Sequence, residues 1–159
     1  TRKPQRTIRV VLYCSEEITQ PSDVLLGNRT YIESRKNEMG AHVIAGESDF
    51  GADRVYSVSL PKGGFASPFG KSLLSVLAPL GIVPSEAVPQ GGADVGPLGQ
   101  AGVPLFDLNQ DGSMYFDYHH TQADTIARIT PKQMSDNSAA IAVMAYVVAD
   151  LPWRLGAEK

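Results

Sequence analysis

The chain has 159 residues, with 14 Lys and Arg against 17 Asp and Glu, so its formal net charge is -3. A hydrophobic share of 43% over this length can bury roughly 70% of the unfolded chain's surface, which excludes disorder; the mild acidity, with an isoelectric point near 5.5, leaves no Lys and Arg cluster able to track a phosphate backbone. No apolar run approaches the ~18 residues of a membrane span, residues 1–6 hold no stretch resembling a signal sequence, and the single cysteine, Cys14, excludes an internal disulfide framework and any multi-cysteine zinc module.

In chain order, Ile8-Arg9-Val10-Val11-Leu12-Tyr13-Cys14 has the β-branched, mostly apolar pattern of a strand buried on both faces, and it ends in Ser15-Glu16-Glu17. Residues 24–39 turn to helix formers, with Ser22 or Asp23 as a cap and Gly40 as a stop. Residues 42–46 and 54–60 read as two strands separated by the polar stretch Glu47-Ser48-Asp49-Phe50-Gly51. Ser67-Pro68 opens a helix whose apolar stripe Phe69, Leu73, Val76, Leu77 and Leu80 closes at Gly81. Residues 61–104 hold 16 of the 26 Gly and Pro residues, a loop-rich region that packs through interleaved Ile82, Val83, Leu98 and Val103 and carries function at its surface. Residues 103–108 read as a strand, Asp111-Gly112 as a turn, and residues 115–118 as a short extended piece leading to His119-His120. Thr130, Pro131 and Gln133 form a capping box for a last helix, which is apolar on more than one side and calls for cover by other structure.

Acidic and imidazole groups thus recur at strand ends, where open α/β sheets build their sites: Glu16-Glu17, Asp49 and His119-His120. Carboxylate and imidazole together suit zinc, and a further carboxylate beside a ligand can deprotonate a water. His42 enters a strand alone and reads as structural. Asp107-Leu108-Asn109-Gln110-Asp111-Gly112 matches the opening of an EF-hand loop but ends on Tyr118 where a glutamate is required, so it reads as a plain turn. Gly46-Glu47-Ser48-Asp49-Phe50-Gly51 is one residue too long for a serine-hydrolase elbow.

The order strand, Ser15-Glu16-Glu17, helix, strand, Glu47-Ser48-Asp49, then His119-His120-Thr121-Gln122-Ala123-Asp124-Thr125 before a long helix closely resembles the co-catalytic zinc aminopeptidases and carboxypeptidases of peptidase family M28. Gln100-Ala101-Gly102-Val103-Pro104, Tyr118-His119-His120-Thr121, Asp124-Thr125 and Pro131-Lys132-Gln133-Met134 are similar to the carboxypeptidase Q branch. The resemblance covers nearly the whole chain. It implies a three-layer α/β/α zinc-exopeptidase fold with a mixed, mostly parallel sheet, incomplete on its N-terminal side, residues 1–159 being the C-terminal portion of one catalytic domain.

By the same resemblance Glu16 is the general base, Glu17 and Asp49 are zinc ligands, and His120 rather than His119 is the last ligand, with Asp124 beside it in a supporting or helix-capping role. The activity implied is hydrolysis of terminal peptide bonds at a two-zinc site, with peptide as substrate and a secreted or periplasmic location. The family's first histidine and bridging aspartate lie upstream of the Glu-Glu strand and have no counterpart here. The chain alone is therefore expected to bind at most one zinc weakly, to be inactive, and to leave an apolar edge for the missing part of the domain or for a second copy. Ser15 stands in place of the usual Gly or Ala, and Gly92-Ala93-Asp94-Val95 in place of a common Ser-Asp-His. A noncatalytic scaffold or interaction domain that keeps the fold without its metals is the alternative.

Overall fold

Val55–Ser59 (β1) is the centre of a three-stranded sheet. Val83–Ser85 (β2) pairs with it in parallel, and Asp107–Gln110 (β3) pairs on its other side antiparallel, with an irregularity in register between Val55 and Ser57. These elements belong to a computed structural model that describes residues 3–14, 16 and 24–150. Among the described residues there are four α-helices: Leu26–Ser34 (α1), Pro68–Leu77 (α2), Gly92–Gln100 (α3) and Pro131–Asp150 (α4), of which α2 and α4 pack on the sheet and α1 packs on α3. The fold is α/β with a mixed sheet, as expected. No described helix is long and apolar enough to cross a membrane.

Two apolar clusters hold the layers together. Val55, Val58 and Leu108 of the sheet pack with Phe69, Leu73 and Leu77 of α2 and with Ala140 and Met144 of α4. The second cluster joins Met39, Val95, Leu98 and Val103, with Tyr13, Tyr31 and Leu105 against it. β1 also buries two polar residues, Ser57 and Ser59; both hydroxyls accept from the Asn109 side-chain amide at 3.0 Å, so neither is left unpaired.

The helix starts follow the sequence closely where a side chain caps them. The Ser67 hydroxyl accepts the Gly70 N–H at 3.0 Å, and α2 continues into a 3-10 turn over Ala78–Leu80 before Gly81. At α4 the Thr130 N–H donates to Gln133 Oε1 at 2.8 Å while the Gln133 N–H donates back to Thr130 Oγ1 at 3.2 Å. The other end of α4 is closed by the N-terminal segment: the Arg6 guanidinium donates to the Val148 carbonyl at 2.7 Å and the Arg6 N–H to Ala149 at 2.8 Å. A cation there also opposes the negative end of the helix dipole.

Elsewhere the structure departs from the sequence reading. Residues 8–14 form no strand, and Val10 and Leu12 are 81% and 90% exposed. The physical reason is a lack of pairing: the segment is tied down by the Gly27 N–H to the Cys14 carbonyl and by Arg9, which donates to Tyr31 and Glu38, and no described strand runs beside it. The expected helix over 24–39 is α1 followed by a 3-10 turn, Lys36–Ala41; the candidate caps Ser22 and Asp23 lie outside the described residues. The strand expected over 42–46 is reduced to a bridge between Ala45 and Leu105, and the one expected over 103–108 falls later, as β3.

The 61–104 region holds β2 and α3, which its Gly and Pro content conceals. Residues 115–118 are no extended piece but the 3-10 turn Tyr115–Asp117 and the residue after it, because Tyr115 stacks on Phe50 and meets Phe116 and Tyr118 edge to face in place of pairing with a strand. α4 buries one face through Asn137, Ala140, Met144 and Ala149 while Met134, Ile141 and Tyr146 are exposed, so the expected all-round cover is absent among the described residues. Replacing Thr130→Ala removes half of the capping box and should lower unfolding stability by about 1 kcal/mol in urea titration; an unchanged midpoint would mean that α4 is held by its packing alone.

Candidate functional site

A cavity of about 800 Å³ opens where stretches distant in sequence converge. Glu16 comes from the end of the N-terminal segment, Asp49 and Phe50 from the loop before β1, Asp107, Asn109 and Gln110 from β3, Tyr115 and Phe116 from the 3-10 turn Tyr115–Asp117, and His119 and His120 from the turn that follows it. Gly91, Gly92 and Ala93, at the start of α3, complete the wall. Its volume falls in the range of ligand pockets, with aromatic surface beside a few convergent polar groups.

The Asp49 loop is braced on both sides. Upstream, Glu47 Oε2 accepts the Val95 N–H of α3 at 2.9 Å. Downstream, the Gln110 amide donates to the Gly51 carbonyl at 3.0 Å and to Asn137 Oδ1 at 2.7 Å, and the Asn137 amide donates to the Ala52 carbonyl at 2.7 Å. The Gln133 amide reaches Asp53 Oδ1 at 2.7 Å. Buried amides with every bond made rigidify what they join, so α4 and β3 fix the backbone that carries Asp49 and Phe50.

The two histidines stack on each other, ring centroids 3.7 Å apart, and His119 also stacks on Tyr115 at 4.6 Å. Tyr115 in turn lies 4.4 Å from Phe50, so imidazoles and aromatic rings form one continuous ledge beside Asp49. His120 has φ +57, a left-handed backbone that costs a non-glycine residue about 1 kcal/mol or more and gathers at functional sites.

Of the residues singled out from the sequence, Glu16, Asp49, His119 and His120 therefore share a cavity. Glu17 lies outside the described residues. Asp124 is exposed and not part of the cavity wall; its N–H donates to the Thr121 carbonyl. His42 is held as a structural residue, its ring nitrogens 2.8 Å from the Tyr31 hydroxyl and 3.0 Å from the Glu38 carbonyl. The Asp107 to Gly112 stretch begins in β3 and turns at Asp111, whose carboxylate accepts the Ser113 N–H at 2.9 Å.

Carboxylate and imidazole donors suit zinc, yet among the described residues no three His, Cys, Asp or Glu side chains come together as a group able to hold a metal ion. Residues that sequence reasoning passed over are Glu47, Asp107, Asn109, Gln110 and Asn137. Asn137 was detectable in principle: it shares the spacing of Ala140 and Met144 on the buried face of α4, where a polar side chain needs partners.

The sequence matches the family model described as peptidase family M28 over residues 1–145. It is 34% identical to carboxypeptidase Q of Rattus norvegicus and 33% identical to that of Homo sapiens, in both cases over 94% of this chain and 30% of the relative. Among solved structures it is similar to the crystal structure of a peptidase M28 precursor from Shewanella amazonensis SB2B, with TM-score 0.84 and 41% identity over 97% of this chain and 34% of that one. The chain spans about a third of the length of the relatives it matches.

Two half-buried carboxyls beside the site are shifted by their surroundings. Burial pushes Glu47 up to about 7 from an ordinary 4.5, with repulsion from Asp49 and Asp94 in the same direction, while the N–H groups of Val95 and Ala93 oppose the shift. Burial likewise raises Asp94, again helped by Asp49. A carboxyl raised on folding keeps a proton that the unfolded chain has lost, so its contribution to stability is present below about pH 4.5 and is lost as pH rises through about 7. With a chelator present, the wild-type chain should melt lower at about pH 8 than at about pH 5, and Glu47→Gln should shrink that difference. An undiminished difference would assign the pH dependence to other groups.

Proposed function

The chain belongs to peptidase family M28, and from that premise we propose that residues 1–159 are the C-terminal part of the catalytic domain of a zinc-dependent exopeptidase of aminopeptidase or dipeptidase type. What supports the reading is the convergence of Glu16, Asp49 and His120, separated in sequence by tens of residues, on one cavity. In this reading Glu17, Asp49 and His120 hold zinc, and a complete site takes two ions. Bound zinc would polarise the scissile carbonyl and lower the pKa of the attacking water toward ~7. Glu16 takes the proton from that water and delivers it to the leaving amine. The rings of Phe50, Tyr115 and Phe116 supply an apolar wall for the peptide. The remaining ligands come from another part of the domain, so the chain by itself is inactive. The carboxypeptidase Q likeness favours a secreted or periplasmic enzyme.

Calorimetric zinc titration of the chain and of Glu17→Ala and His120→Ala, with hydrolysis of an aminoacyl anilide followed in parallel, tests this reading. Roughly one weakly bound zinc ion, lost in both variants, with no hydrolysis, is the expected result. Two tightly bound ions with turnover would overturn the incomplete site, and no zinc uptake at all would overturn the metal reading in favour of a noncatalytic scaffold.

A further inference from the structure

Glu47 has no part in the chemistry above, yet it lines the cavity and is tied to the start of α3. Its Oε2 accepts the Val95 N–H at 2.9 Å. Its Oε1 is buried without a hydrogen-bond partner among the described residues, pressed against Gly92, where any Cβ would overlap the carboxylate. Its Oε2 is thus committed to α3. Two residues on, Asp49 sits midway between this anchor and the downstream one, where Gln110 and Asn137 take the carbonyls of Gly51 and Ala52.

We infer that Glu47 is a positioning residue, which sets the Asp49 carboxylate on the cavity wall by pinning the upstream end of its loop to the first turn of α3. Ser48, Asp49 and Phe50 are themselves exposed, so anchoring contacts rather than burial place them: Glu47 upstream, Gln110 and Asn137 downstream, and the stacking of Phe50 on Tyr115 between them. Gly92 is part of the same device, because only a residue without a side chain admits the carboxylate to the helix start. The inference rests on the proposed role of Asp49 only where zinc is concerned; the immobilisation of the loop is independent of it.

The test is backbone ¹⁵N relaxation of the chain without metal, in wild type, Glu47→Ala, Glu47→Gln and the core variant Met144→Ala. Order parameters of Ser48, Asp49 and Phe50 should fall from about 0.85 to below about 0.6 in Glu47→Ala. Glu47→Gln, whose carbonyl can still accept the Val95 N–H, should restore part of the order. Met144→Ala, which weakens the core without touching the loop, should leave the three residues as in wild type. Unchanged order in Glu47→Ala, or an equal loss in Met144→Ala, would overturn the inference. In parallel, zinc affinity should drop roughly tenfold in Glu47→Ala, with Asp49→Ala as the reference for complete loss. If Asp49→Ala abolishes zinc uptake while Glu47→Ala leaves it intact, the positioning role is overturned. If Asp49→Ala changes nothing, the zinc assignment falls and the relaxation result alone decides the role of Glu47.

Discussion

The site is organised by the backbone N–H groups at the beginning of α3. Gln90 and Gly91 donate to the Asp107 carboxylate at 2.8 and 2.7 Å, and Val95 to Glu47 at 2.9 Å. The Asn28 amide of α1 reaches the Asp94 carbonyl on the same turn. Helix starts carry unsatisfied N–H groups and a partial positive charge, and here acidic side chains from two other elements meet that need. The consequence is mechanical: α1, β3 and the Asp49 loop are all registered against one helical turn, which itself forms part of the cavity wall.

That arrangement explains which parts of the fold could be read from sequence. α2 and α4 carry their own instructions, an apolar stripe behind Ser67 and a capping box at Thr130, and both begin where the residues say they should. α3 carries none. Gly92, Gly96, Gly99 and Pro97 are poor helix formers, each glycine costing about 1 kcal/mol relative to alanine, and the helix stands because carboxylates far away in sequence hold its start and because Val95 and Leu98 enter a core. Residues 8–14 fail in the opposite sense: their pattern encodes a buried strand, but a strand needs neighbours, and the described residues offer it none.

The site divides along a similar line. Glu16, Asp49, His119 and His120 were visible because carboxylates and imidazoles at strand ends are chemically conspicuous, and they do share a cavity. The amides that hold them, Gln110 and Asn137, are ordinary residues whose importance arises only when a carbonyl of another loop arrives at 3.0 or 2.7 Å. Spacing cannot announce such a meeting. His120 lies between these cases: the pair His119-His120 was plain, but the left-handed turn at its second member has no signature in the letters.

The contact between Glu47 and Gly92 narrows what either position can become. A side chain at 92 cannot coexist with the carboxylate as it now sits, and a short residue at 47 would not free position 92, whose φ of +70 strains any side chain whatever the space. Neither change is tolerable in the same way by itself, since losing Glu47 strips the α3 N–H of Val95 of its acceptor and gaining a Cβ at 92 expels the acceptor from its seat. Position 92 is thus held to glycine twice, by the carboxylate seated against it and by its own left-handed backbone, whereas position 47 is held by the N–H it serves.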